Sequence, residues 1–354
     1  MSASAFADAL ARLVPVDEVA RADAVTLSDR LTKPRGALGA VEVVGAQLAA
    51  IARTCPPPVP APAFVAVFAG DHGVVEEGVT PWPAEVTAQM VANFCAGGAA
   101  INVLARHSGA EVVVVDVGVM SELDPHPGLV RAKVRAGTRN LAREAAMTVA
   151  ECTAALDVGA AVAASLVGER GARCLLTGDM GIGNTTSSAA VIAAICGLPA
   201  DVVTGRGTGI DDAMLARKTE IVAHAVARVR SGAPALDVLA ELGGLEIAAL
   251  AGFIVGGAAA GVPVIVDGVI ACAAMVVAAT IAPDCVGSCV AGHRSSEPGA
   301  SAALAHVGLS PLLDLELRLG EGTGACLALS VVQAAAKVLR EMATFDAAGV
   351  TDKG

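Results

Sequence analysis

Arg173-Cys174-Leu175-Leu176-Thr177-Gly178-Asp179-Met180-Gly181-Ile182-Gly183-Asn184-Thr185-Thr186-Ser187-Ser188 joins a short apolar run to a glycine-bearing turn and then to a long Ala- and Ile-rich stretch. That succession reads as a β-strand, its loop and the helix that covers the sheet. The same order recurs around Phe64 to Phe68, Glu111 to Asp116 and Val262 to Val266. Repeated βαβ units predict an α/β fold, a parallel Rossmann-like sheet flanked by helices. Uninterrupted runs such as Val112 to Val115 suit strands buried on both faces. Ligands of such sheets bind beyond the carboxyl ends of the strands, so the residues after each run are where chemistry is sought.

Outward from this sheet the chain changes character. Ser4 to Val14, Asp17 to Thr32 and Ala37 to Arg53 have the apolar spacing of helices, and the proline-rich stretch Cys55 to Pro62 ends them. Gly324 to Met342 is a further Ala/Leu/Val-rich helix, expected to pack on the N-terminal hairpins. The expected organisation is a small helical domain built from both chain ends, residues 1–58 and 323–354, around a large α/β substrate-binding domain, residues 59–322. Ser121 to Gly137, with Pro125, Pro127 and Gly128, reads as an irregular surface excursion. Ala248 to Ala282 is almost wholly apolar, but Pro263 and Asp267 split it, so two helices with a buried strand between them are expected rather than a membrane span.

Composition excludes several classes. Hydrophobic residues make up 55% of the 354 and charged residues 17%, enough apolar surface to offset the entropy of ordering a chain. The 39 glycines and only 2% aromatics point to close backbone packing by small side chains. A net charge of -11 opposes a nucleic-acid partner, which a basic face would be needed to bind. Nine cysteines scattered through apolar segments read as buried thiols, not as a disulfide framework or zinc site. Asp8, Arg12, Asp17 and Glu18 interrupt any signal peptide, so a cytoplasmic protein is expected.

Five segments concentrate unusual residues at predicted strand ends. Asp71-His72, between Gly70 and Gly73, could bind a metal or transfer protons; without a third ligand at suitable spacing, a tight turn capped by Asp71 is the favoured reading. Gly181 and Gly183 free the backbone ahead of Asn184 and Thr185 at a helix start, where amide groups and the helix dipole attract a phosphate; the alternative is an ordinary helix start capped by threonine. The segment has neither a Walker A ending nor a dinucleotide fingerprint, which argues against a dehydrogenase. Gly205, Arg206 and Gly207, followed by Arg217 and Lys218, describe a second anion cradle or a flexible loop with a basic helix face. Asp267 ends a strand in an uncharged stretch, so it meets either a sugar hydroxyl or the start of the next helix. Glu321, between glycines and before an apolar helix, is either a base with little steric cover or a favourable charge at a helix start.

Taken in order, Lys33-Pro34-Arg35-Gly36-Ala37-Leu38-Gly39, Gly70-Asp71-His72-Gly73-Val74, Val86-Thr87-Ala88-Gln89-Met90, Gly178 to Thr186 and Arg318-Leu319-Gly320-Glu321-Gly322-Thr323-Gly324-Ala325 resemble the nicotinate-nucleotide:dimethylbenzimidazole phosphoribosyltransferase family across nearly the whole chain. The resemblance implies a homodimer acting on small molecules, with no metal or redox cofactor, in the lower-ligand branch of cobalamin synthesis. It implies that Glu321 is the general base that deprotonates the benzimidazole. By the same resemblance Asp179 and Asp267 lie near the ribose and nicotinate. Gly181, the Gly205 to Gly209 loop, Lys218 and Ser295 hold the 5'-phosphate, and Trp82, Gln89, Met90 and Leu319 line the base site. The chain departs from the family at Asp179, where a glutamate is usual. A non-catalytic nucleotide-binding protein on the same fold is the competing expectation.

Overall fold

The computed structural model describes residues 4–351. Six strands form one all-parallel sheet: β1 (Ala63–Gly70), β2 (Ala110–Gly118), β3 (Leu129–Arg131), β4 (Cys174–Met180), β5 (Val264–Val266) and β6 (Cys289–Ala291), in the order β3-β2-β1-β4-β5-β6. The order reverses between β1 and β4, which opens a crevice at their carboxyl ends. Ala69 is in register with Met180, so the turns that leave β1 and β4 emerge side by side.

Side chains alternate between two cores, as the two-residue period of a strand requires. Phe64, Ala66 and Phe68 face one core, covered by helices Val149–Gly168, Leu245–Ala259 and Val269–Ile281; Val65, Val67 and Ala69 face the other, covered by helices Ala40–Ala52, Ala100–Ser108 and Thr323–Glu341. The glycines serve close helix packing. A Cβ on Gly159 would lie 1.7 Å from the Ala249 carbonyl oxygen, and one on Gly252 would lie 1.9 Å from that of Leu156. Six of the nine free cysteines are buried and the other three half-buried.

Several elements depart from the sequence reading. The excursion from Ser121 to Gly137 contains edge strand β3, and β6 was not expected; three residues are too short to show a pattern. Strand β4 runs on through Thr177, Gly178 and Asp179 to Met180, because its polar end still pairs with β1. Asp179 is therefore a strand residue and only Gly181 to Gly183 form the turn. Ala248 to Ala282 does divide into helix, strand and helix.

Helices Glu18–Arg30 and Ala40–Ala52 meet the last turns of Thr323–Glu341 around Ala24, Leu31, Ala46, Ala49 and Leu339. The first half of that C-terminal helix lies on the sheet, with Ala325, Ala328, Leu329 and Val332 in the second core. The first helix, Ala5–Arg12, does not join the helical group expected of it: it packs on Val149–Gly168 and Leu245–Ala259, and Ser4 Oγ donates to Asp157 at 2.6 Å.

Candidate active site

The crevice between β1 and β4 gathers acidic groups. Asp179, at the end of β4, accepts a hydrogen bond from Asn184 Nδ2 at 3.1 Å through Oδ1, while its Oδ2 is buried with no partner among the described residues. Burial, reinforced by the charges of Asp267, Glu246 and Glu321, raises its carboxyl well above the ordinary range. A Cβ on Gly320 would sit 3.1 Å from Asp179 Oδ1, so the turn that carries Glu321 passes directly over this group.

Three consecutive residues of that turn have left-handed backbone: Gly320 at φ 78°, Glu321 at φ 63° and Gly322 at φ 93°. For the glutamate this costs on the order of 1 kcal/mol, and the surrounding contacts hold it there. Asp267 accepts from the Gly322 amide at 3.1 Å and from the Ala325 amide at 2.9 Å. It thus caps the C-terminal helix across the sheet and not the helix that follows it in sequence, and both oxygens expected near a ribose hydroxyl accept backbone amides. His293 Nε2 lies 3.5 Å from Asp267 Oδ1, a long contact that makes no formed hydrogen bond.

Glu321 is 5% exposed, against the expectation of little steric cover. Its Oε2 accepts from the Ile101 amide at 3.3 Å, in the first turn of helix Ala100–Ser108. Burial raises the carboxyl, the Ile101 bond opposes the rise and the Asp267 charge adds to it, leaving Glu321 above its usual range. A carboxylate with a raised pKa, fixed by one bond, is suited to accept a proton. Leu319, expected to line the base site, is 56% exposed.

A second cluster lies around the Gly205 to Gly209 loop. Lys218 is buried on helix Asp212–Ala227 and donates to Thr185 Oγ1 at 2.8 Å and to the Gly205 carbonyl at 3.0 Å. Burial lowers its ammonium to about 8, against the raising effect of Glu297. Gly207 N donates to Glu297 Oε1 at 2.7 Å, Arg318 donates to the Gly207 carbonyl at 3.0 Å, and Arg206 pairs with Asp212. A cavity of about 460 Å³ opens beside this loop, bordered by Arg206, Glu297 and Arg318. A Cβ on Gly207 would meet Thr185 Oγ1 at 3.1 Å, so the two glycine segments at Gly181 to Thr185 and Gly205 to Gly209 converge. Ser295 is buried nearby and accepts the Glu297 amide at 3.3 Å.

The residues expected at the base site are less enclosed. Gln89 and Met90 lie on helix Glu85–Ala96, whose Thr87 accepts the Ile182 amide at 3.1 Å and ties that helix to the turn after β4. Gln89 is exposed, Met90 is half-buried and Trp82 is 49% exposed.

Asp71 and His72 have roles other than a capped turn. Asp71 Oδ2 accepts the Met120 amide at 2.7 Å, beyond β2. His72 is fully buried between Glu246, at 2.7 Å from Nε2, and Ser187 Oγ, at 2.9 Å from Nδ1. Burial alone would depress the imidazolium, but Glu246 raises it above the usual histidine range. Sequence reasoning passed over Glu246, whose signal was a lone carboxylate opening the apolar helix Leu245–Ala259. Glu297, just before helix Pro298–His306, was likewise given no role.

Strand-end carboxylates beside a glycine-lined loop that holds buried Lys218 make a site suited to a phosphorylated sugar. A family model described as phosphoribosyltransferase matches residues 13–350. The nicotinate-nucleotide–dimethylbenzimidazole phosphoribosyltransferase of Salinispora tropica is 55% identical over 97% of this chain and 98% of its own, and that of Chloroflexus aurantiacus is 52% identical over 96% of each. The crystal structure of CobT from Thermus thermophilus superimposes with a TM-score of 0.92 at 48% identity, over 95% of this chain and all of that one. The chain belongs to the nicotinate-nucleotide–dimethylbenzimidazole phosphoribosyltransferase family.

Proposed function

We propose that the protein transfers the phosphoribosyl group of nicotinate mononucleotide to 5,6-dimethylbenzimidazole, forming α-ribazole 5'-phosphate and nicotinate in the lower-ligand branch of cobalamin synthesis. In the donor the pyridinium nitrogen is cationic. Cleavage of its bond to the ribose carbon returns the electron pair to the ring and releases a neutral pyridine, so the leaving group needs no acid. One benzimidazole nitrogen forms the new bond from the opposite face, which inverts the anomeric centre, and Glu321 takes the proton from the other nitrogen. The phosphate, held by Lys218, Thr185 and the Gly205 to Gly207 loop, orients the sugar.

The observation that carries this reading is the Glu321 carboxyl, buried, raised and fixed on a strained turn beside Asp179, at the crevice where β1 and β4 end. Incubation with both substrates tests it by release of nicotinate and by the mass of the nucleotide product. Nucleotide binding without release would instead favour a non-catalytic protein. A competition among several bases reads acceptor preference, which the exposed Trp82 and Leu319 leave to their surroundings. A cytoplasmic homodimer is part of the same proposal; exposed apolar side chains such as Val19 and Val43 on the N-terminal helices are available to a second copy, and sedimentation tests the dimer.

A further inference from the structure

A carboxylate in an anion site is an electrostatic contradiction unless it serves the cation there. Glu297 is 5% exposed and stands just before helix Pro298–His306. Its Oε1 accepts the Gly207 amide at 2.7 Å, and a Cβ on Gly205 would fall 2.2 Å from its Oε2, so the loop must be glycine where the acid lies against it. Lys218 grips the same loop through the Gly205 carbonyl, and a Cβ on Gly207 would lie 3.7 Å from its Nζ. We propose that Glu297 is a positioning residue of the phosphate site: it clamps the Gly205–Gly207 loop that Lys218 also holds, and its charge keeps the buried Lys218 cationic. The inference rests on the proposed transfer from a phosphorylated nucleotide.

The surroundings of Lys218 leave this task to Glu297. Thr185 and the Gly205 carbonyl are neutral, and Arg206 and Arg318 at the cavity rim oppose a further positive charge. On its own helix Asp212 is paired with Arg206, Asp211 caps the first turn through Met214 N, and Arg217 lies 3.8 Å from Glu77. A buried lysine titrating at about 8 is close to neutrality in mildly alkaline solution. A neutral amine holds a phosphate dianion poorly.

The test is KM and kcat for nicotinate mononucleotide between pH 6 and 10, in the wild type, E297Q, E297D and K218R. E297Q keeps an acceptor for Gly207 but loses the charge, so the pH above which KM climbs moves to a lower value, with kcat at saturation changed less than about threefold. E297D keeps the charge but not the reach, so KM rises roughly tenfold at every pH while the alkaline climb stays in place. K218R, which does not titrate in this range, shows no climb. An E297Q profile that coincides with the wild type overturns the proposal, as does an alkaline climb that survives in K218R. If E297Q does not fold, E297D decides: an unchanged KM contradicts the clamp. A wild-type enzyme that releases no nicotinate refutes the transferase reading instead.

Discussion

Asp267 accepts the backbone amide of Gly322 at 3.1 Å, so an acid at the end of β5 holds the turn on which Glu321 is strained. A second bond from the same carboxylate, to the Ala325 amide, starts the C-terminal helix. Strand, turn and helix are thereby locked into one unit, and the position of the base depends on a residue that need not touch substrate.

Replacing Asp267 with Ala removes a cap and leaves two buried amides unpaired. The expected loss is about 2 kcal/mol of stability, with kcat falling more than nucleotide affinity because Glu321 is released. Chemical denaturation and steady-state kinetics on D267A read both effects.

The His72–Glu246 pair is wholly buried, and removing one partner strands the other. H72L is expected to cost roughly 3–5 kcal/mol, and H72L/E246L to recover much of that loss. Because Glu246 raises the imidazolium above 6.5, its contribution to stability is complete below that pH and is lost as the pH climbs through the raised value. Denaturant midpoints for both variants at several pH values check the prediction.

Asp179 works in the opposite sense. Its raised carboxyl means that ionisation opposes folding: the native state binds the proton more tightly, and stability falls as pH rises from the ordinary carboxylate range through the raised value. D179N, still able to accept from Asn184, is expected to gain on the order of 1 kcal/mol near neutrality, about 2 °C in melting temperature, and to lose turnover. A thermal melt paired with an assay measures the trade.

Much of this was legible in the residues. The parallel sheet announced itself because Val67, Val114 and Leu176 sit in apolar runs, each followed by a glycine-bearing turn, although strand β3 and not a helix comes next after Val114. Strands β3 and β6, three residues each, carry no such period. At the site, the glycines around Glu321 and the Gly205 loop marked positions that backbone geometry and crowding require. The partners of Asp267 and His72 were not legible: the Ala325 amide lies 58 residues from Asp267 and Glu246 lies 174 from His72, and no local pattern encodes contacts made only when helices close over a sheet.

The most direct measurement is the pH dependence of single-turnover nicotinate release by wild type and E321Q, with dimethylbenzimidazole present. In the wild type the rate should fall on the acid side through a pKa above the ordinary carboxylate value, since Glu321 must be unprotonated to accept the azole proton. E321Q should release nicotinate roughly 10² to 10⁴ times more slowly, without the acid limb and with nucleotide binding retained. An E321Q enzyme that keeps near-normal turnover and the same limb would show that the proton goes elsewhere.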